Sequence, residues 1–458
     1  MAPKIAFIGG GSYQWTSKLL IDLVNMPSLV DAHVVIEDID PAPIPRMLEL
    51  VEHMAKVRGI GLHATGTTDQ REALDGADYV VVCISTGALE SMSLDIAIPE
   101  RYGIKQSVGD TVGPGGIVRA LRNIPVMVDI ARDMEAVCPD AWLLNLTNPM
   151  TTLTRAVLRE TSINAVGLCH EVTIATFMLS LLLECDMRKM KMEISGVNHL
   201  PIITRCDIDG VDGLAMLADM MEREDEVRRE PIAFNFAEMI GHEAVSEGGE
   251  WTKAELLDLN RVKLEIFRRT GALPAAGDRH LVEFFSGFLT EDSKWGLDWG
   301  VQLTDMPERE RWQGRHIADF EATLVANEVS RMPSGEMVAG LIDSRLRDKP
   351  RDYPVNIANT GQCPDLPNDV VVESMCTIDG SGVHGRDRAV LPPVLADTVR
   401  RVALSQELTV EAAISGSRDA VVDAMLVDPL AGRIDYQALQ RMADEMITAT
   451  SKWLPQFA

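Results

Sequence analysis

A thiol, an imidazole and a carboxylate follow one another at Cys169, His170 and Glu171, and a second imidazole, His199, lies further along the chain. Cys169 closes the apolar run "AVGLC" and stands just before a helical pattern; His199 sits in "GVNHL", again at the end of an apolar run. A thiol at a helix N-terminus is biased towards thiolate. A thiolate and an imidazole, with substrate oxygens and water completing the shell, suit a substrate-bridging divalent ion. The plainer alternative is a buried thiol and two hydrogen-bonded structural histidines. The other cysteines are Cys83, Cys138, Cys185, Cys206, Cys363 and Cys376. Their number with Cys169 is odd, their spacing is scattered and no CxxC pair occurs, which excludes a disulfide framework and fits a reducing compartment.

A second chemistry opens the chain. In "KIAFIGGGSYQWT" the glycines Gly9, Gly10 and Gly11 end a short apolar strand, Ser12 follows, and a helical pattern begins. Backbone amides freed of side chains at a helix N-terminus form a pyrophosphate cradle. The usual third glycine is replaced by Gln14. The next strand ends in Glu37-Asp38-Ile39-Asp40, where Asp38, or else Asp40, is placed to accept hydrogen bonds from an adenosine ribose and so to favour NAD. Ser85 and Asn145 end two further strands, at the sheet edge where such folds bind ligands. A nucleotide-free structural turn is the alternative.

These residues need a frame. "KIAFIGG", "HVVIEDID", "ADYVVVCIS", "AWLLNLTNP" and "NAVGLC" read as strands separated by helical stretches such as "GGIVRALRNIPVMVDIARDMEAV". Such alternation predicts a doubly wound parallel α/β sheet, a Rossmann-like domain over residues 1–195. From residue 196 to 458 the pattern changes to "KMEISGVNHLPIITRCDIDG", charged helices, the strands "YPVNIAN" and "DVVVESMCTI", and terminal helices. That part is predicted to be a mixed α/β domain with its own sheet, like the second domain of lactate and malate dehydrogenases. "HEAVSEGGEW", His242 to Trp251, is polar and glycine-bearing, as a loop over a site would be.

The 458 residues carry a net charge of −26, which repels nucleic acid and anionic membranes. No apolar run is long enough for a membrane helix and the start shows no secretory signal, so a cytoplasmic location is expected.

The chain resembles glycoside hydrolase family 4, the NAD- and metal-dependent glycosidases. The resemblance is carried by the glycine turn, by "DIAIPERYGIKQSVGDTVGPGGIVRALRNIP", "NLTNP", "GLCHEV", "GVNHL" and "AGDRHLVEF", and by "PVNIANTGQCPDLPNDVVVE" and "GSRDAVVDAMLVDPL". It implies a redox-assisted elimination: hydride leaves sugar carbon 3 for NAD, a base removes the carbon-2 proton, the aglycone leaves carbon 1, water adds, and hydride returns. It implies Cys169 and His199 as ligands of Mn(II) and Asn148 as a contact to sugar hydroxyls. No tyrosine lies in the middle region where the phosphoglycosidase members carry their base, and Asp278 is the expected replacement, with Asp110 of "GDT" as rival. Arg279 and His280, beside Asp278, are expected on the substrate side. The Cys-His pair resembles members acting on unphosphorylated sugars, and "CHEV" the α-glucosidase subgroup, with His170 donating to the leaving oxygen or to a sugar hydroxyl. Asp95 would offer a carboxylate to hydroxyls and repel phosphate. The alternatives within the family are an α-galactosidase or α-glucuronidase; outside it, a hydroxy-acid dehydrogenase or a non-catalytic NAD sensor. The resemblance also implies a homodimer or homotetramer.

Overall fold

The computed structural model describes residues 2–232, 252–386 and 388–457; the stretch His242 to Trp251 lies outside them. The frame is a nine-stranded sheet among the described residues, in the order β13-β12-β11-β6-β5-β4-β1-β2-β3. Its first six strands in sequence are β1 (Lys4–Ile8), β2 (His33–Glu37), β3 (His63–Thr67), β4 (Tyr79–Val82), β5 (Trp142–Asn145) and β6 (Asn164–Gly167), all parallel. The central strands are buried apolar runs because helices cover both faces. β3, "HATGT", is polar and largely exposed, as befits an edge. The order reverses between β1 and β4, so a crevice opens at their carboxyl ends.

A smaller sheet holds β7 (Met190–Val197), β8 (Leu200–Ile208), β9 (Val211–Asp212) and β10 (Leu273–Pro274). The remaining strands, β11 (Arg351–Ala358), β12 (Val371–Asp379) and β13 (Gly382–Gly385), run antiparallel and continue the first sheet beyond β6, with Asn356 opposite Gly167. The expected division at 195/196 therefore falls inside β7, and the large sheet crosses it. "YPVNIAN" and "DVVVESMCTI" are strands, as predicted, but not of a separate second sheet. Their apolar faces complete the layers against which the helices Met150–Glu160 and Val338–Leu346 pack.

The helix Gly113–Val137 lies behind the sheet and packs on the C-terminal helices Pro393–Ser415 and Arg418–Val427. Its start is fixed from a distance. Asp428 Oδ2 accepts the Gly113 amide at 2.8 Å, while Oδ1 accepts the amides of Leu430 and Ala431. The two motifs "GDTVGPGG" and "LVDPL" thus meet, and the loop before the helix is held over the crevice.

Candidate active site

The turn after β1 is shaped by what its glycines lack. Gly9 has φ +77°, and a Cβ there would lie 2.3 Å from the Cys83 carbonyl oxygen. A Cβ on Gly11 would lie 2.4 Å from Pro43 and 2.7 Å from Asp38 Oδ2. The Gly10 amide donates to the Glu37 carbonyl at 2.7 Å, and the Gly11 amide to Asp38 Oδ2 at 3.0 Å. Asp38 is thus drawn against the turn, whereas Asp40 is exposed and accepts the Ala42 amide. The helix Trp15–Asn25 starts without a side-chain cap at Gln14; Ser12 Oγ accepts the Trp15 amide at 3.1 Å. Ser85 is exposed just past β4. A crowded turn running into a helix start and a carboxylate at the end of β2 fit a dinucleotide. Burial pushes the Glu37 carboxyl up to about 7 beneath this turn.

Across the crevice lies a polar centre. Asp110, His199 and His280 present ligand atoms all within 4.8 Å of one another. Asp110 comes from the loop before Gly113, His199 from the tight β7–β8 turn at φ +62°, and His280 from the short helix Asp278–Phe284. The two imidazoles stand 3.7 Å apart between centroids. Thr111 Oγ1 lies 2.7 Å from Asp110 Oδ1 and 2.8 Å from His199 Nδ1. A hydroxyl has one proton, and ionised Asp110 can only accept. The Thr111 hydroxyl therefore donates to Asp110 and accepts from His199 Nδ1–H, which leaves Nε2 with a free lone pair. Asn148 Nδ2 donates to Asp110 Oδ2 at 3.1 Å.

Burial would raise Asp110, but His199, His280 and Arg119, with the Thr111 hydrogen bond, outweigh it and hold the carboxyl well below the usual range. Burial, with His280 adding to it, lowers His199 to about 3; burial also lowers His280. Neutral imidazoles are the form that ligates metals. His280 Nδ1 and Asn148 Oδ1 are buried without a partner. Two neutral imidazoles, a carboxylate and orphaned polar atoms fit a divalent ion.

His170 meets a partner that sequence reasoning missed. Its Nδ1 lies 2.9 Å from Glu336 Oε1. Burial opposes the imidazolium, yet the Glu336 charge and hydrogen bond prevail and raise His170 to about 9. Glu171 begins the helix Glu171–Leu182 and accepts the Gly277 amide at 2.6 Å. Its carboxyl is lowered to about 2: burial resists, and His280, His170 and His199 outweigh it. Glu283, on the His280 helix, accepts the amides of Val108 and Gly109 and so fixes the Asp110 loop.

Several expected residues stand elsewhere. Asp278 does not face the centre. Its two carboxylate oxygens accept the Val262 and Lys263 amides at 2.7 and 3.0 Å, capping the helix Arg261–Thr270. A free helix N-terminus is a stronger claim on a buried carboxylate than open solvent would be. Asp95 is not a hydroxyl ligand either: it is fully buried in a two-pronged pair with Arg122, at 2.9 and 2.6 Å. Asn145 is not available to a cofactor, because its amide donates to Met150 and Thr154 and accepts from Thr147. Cys169 is buried but does not join the group of Asp110, His199 and His280; burial foremost pushes its thiol well above the usual thiol range. Arg279 donates to Thr304 and lies over the Trp312 ring at 5.1 Å. Thr111, Asn198, Glu283 and Glu336 were missed. Thr111 and Asn198 had a signal as neighbours of Asp110 and His199, and Glu283 as part of "AGDRHLVEF"; Glu336 sits in an unremarked stretch.

The model "Family 4 glycosyl hydrolase" matches residues 4–184, and "Family 4 glycosyl hydrolase C-terminal domain" matches residues 194–431. An alpha-galactosidase of Bacillus subtilis (strain 168) is 30% identical, with 99% of each chain covered. An alpha-galacturonidase of Thermoanaerobacterium saccharolyticum is 32% identical over 98% of this chain and 96% of its own length. An alpha-glucosidase of Erwinia rhapontici is 29% identical, again over 99% of both. Among solved structures, a candidate glucosidase of B. subtilis superimposes with TM-score 0.83 at 29% identity, covering 97% of this chain and 99% of that one. A Thermotoga maritima 6-phospho-beta glucosidase, solved with manganese, NAD+ and glucose-6-phosphate, shares the fold at TM-score 0.77 and 21% identity, over 98% and 99%. Malate dehydrogenase from Plasmodium falciparum shares it more distantly, at TM-score 0.50 and 13% identity over 90% and 99%.

Proposed function

The chain belongs to the family 4 glycosyl hydrolases, and from that premise we propose an NAD- and Mn(II)-dependent glycosidase for unphosphorylated α-glycosides, α-glucosides first. The observation that carries the reading is the convergence of Asp110, His199 and His280 within 4.8 Å, beside Asn148 and across the crevice from the Gly9–Gly11 turn. When bound, NAD supplies reversible hydride acceptance and the ion supplies positive charge for the oxygens on sugar carbons 2 and 3.

The chain's own residues do the rest. The start of the helix Trp15–Asn25, reached over the side-chain-free Gly9–Gly11 turn, would hold pyrophosphate, and Asp38 would accept from ribose. His199 Nε2 and His280 hold the ion, with Cys169 as the further ligand that the family resemblance implies. Asn148 binds a sugar hydroxyl. Asp278 being committed to a helix cap, a carboxylate oxygen of Asp110 receives the carbon-2 proton; a weak base suffices for an activated carbon acid. His170, protonated at neutral pH through Glu336, donates its Nε2–H to the leaving oxygen or to a sugar hydroxyl.

The "CHEV" signature supports a glucoside. A second reading, an α-galactoside or α-uronide, is favoured by the galactosidase and galacturonidase relatives and by the buried, unpartnered Nε of Arg279, a donor for a sugar carboxylate. Self-association belongs to the proposal: Val394, Leu404, Leu426 and Tyr436 are exposed on the C-terminal helices, and sedimentation should give a dimer or tetramer.

The test offers p-nitrophenyl α-glucoside, α-galactoside, α-glucuronide and α-galacturonide, with and without NAD, Mn(II) and a thiol reductant. Release should need NAD and Mn(II), with deuterium entering at carbon 2 from heavy water. Release without NAD sinks the mechanism. A kcat/KM tenfold higher for a galactoside or uronide selects the second reading.

A further inference from the structure

Behind Cys169 lies a polar network that no step above uses. Glu373 on β12 is fully buried, and so are Asn356 on β11 and Asn198 beside His199; Thr151 is nearly so. Asn198 Nδ2 donates to Glu373 Oε2 at 3.3 Å, and the same side-chain amide lies beside the Cys169 thiol. The Asn198 backbone amide donates to Thr151 Oγ1 at 2.8 Å, and that hydroxyl donates to Asn356 Oδ1 at 3.0 Å. Asn356 and Glu373 stand opposite each other across β11 and β12. One amide side chain, Asn198, is therefore held at both ends: its backbone through Thr151, its side chain through Glu373. That amide is the group next to the Cys169 sulfur.

We propose that Glu373 is a positioning residue, which through Asn198 fixes the Cys169 sulfur in the orientation that a divalent ion requires. This rests on Cys169 being a metal ligand, as in the functional reading above. The chemistry fits a neutral acid. Burial foremost pushes the Glu373 carboxyl up to about 8, and an uncharged acid beside a thiolate spares it a like charge. The acid is then a donor as well as an acceptor, and Glu373 Oε1 and Asn198 Oδ1 are both buried without a hydrogen-bond partner. Groups in this second layer around a metal typically change its affinity 10- to 100-fold when removed. The network also gives β11 and β12 a reason to extend the first sheet: they bring Glu373 beneath the crevice from a segment far away in the chain.

The test compares Glu373→Gln with Glu373→Leu, both uncharged and close in size. Mn(II) binding to the protein without NAD or sugar is read by electron paramagnetic resonance of the free ion. Iodoacetamide modification of Cys169 in metal-free protein is read by peptide mapping. Gln keeps an acceptor and a donor for Asn198, and should bind Mn(II) within about twofold of wild type. Leu should weaken binding at least about tenfold and change the Cys169 modification rate. Should Glu373→Leu not fold, Asn198→Ala cuts the same link at its other end and should show the same loss. Gln and Leu behaving alike, or Leu and Asn198→Ala matching wild type, would overturn the proposal. If wild-type protein and Cys169→Ala bind Mn(II) equally, the metal-ligand reading fails instead, and the modification rates still report whether Glu373 orients the thiol.

Discussion

The two walls of the crevice are built on different principles. The Gly9–Gly11 wall comes from consecutive residues and works through backbone: absent Cβ atoms, aligned amides and a helix start. The Asp110–His199–His280 wall draws single side chains from segments far apart and works through charge and proton placement. The first wall is governed by space and the second by which group holds which proton. A substitution that ruins one should leave the other largely intact, and that separation can be broken or sharpened by measurement.

The largest effect is expected at the second wall. His199→Ala removes the free Nε2 and the Thr111–Asp110 relay together. Activity towards the best p-nitrophenyl glycoside should fall about 1,000-fold or more, and Mn(II) affinity at least about tenfold. NAD affinity, read by calorimetry, should stay within about threefold. Loss of NAD binding as well would mean that the walls are one unit.

Gly9→Ala is the mirror experiment. The added Cβ would meet the Cys83 carbonyl at 2.3 Å in a backbone conformation that only glycine adopts easily. Neither a backbone carbonyl nor a central strand can yield cheaply. NAD affinity should drop about 100-fold, equivalent to ~2.7 kcal/mol, with Mn(II) affinity little changed.

The sequence made the first wall legible and the second only in part, for one physical reason. A backbone turn is written in adjacent letters, so strand, glycines and helix can be read together. Side-chain direction is decided by what lies across space. Asp278 adjoins His280 in sequence, yet the unsatisfied amides of Val262 and Lys263 turn it away. Asp95 was expected to offer its carboxylate to sugar hydroxyls, and the pair with Arg122 buries it instead. Strands β11 and β12 were visible as apolar runs, but periodicity reports a strand and not its neighbour, so their place beside β6 was not.

Asp278→Asn sharpens this contrast. If Asp278 took the carbon-2 proton, the variant would lose exchange entirely. As a helix cap it should cost ~1–2 kcal/mol of stability, seen in urea unfolding, with kcat within about tenfold and deuterium exchange retained.

The smallest effect links the charge of the second wall to pH. Burial raises Glu283 to about 8 in the folded protein, against an ordinary 4.5. The folded state then holds a proton that the unfolded chain releases. Glu283's contribution to stability is therefore complete below about pH 4.5 and is lost as pH rises towards 8. Gln at this position still accepts the Val108 and Gly109 amides and cannot ionise. Glu283→Gln should match wild type in Tm near pH 5 and exceed it by a few degrees at pH 8. Parallel curves would mean that Glu283 is already ionised at neutral pH. The Asp110 loop would then be held by a charged carboxylate facing another, and the proton economy of the second wall would have to be redrawn around Arg309, a cation that offsets Glu283.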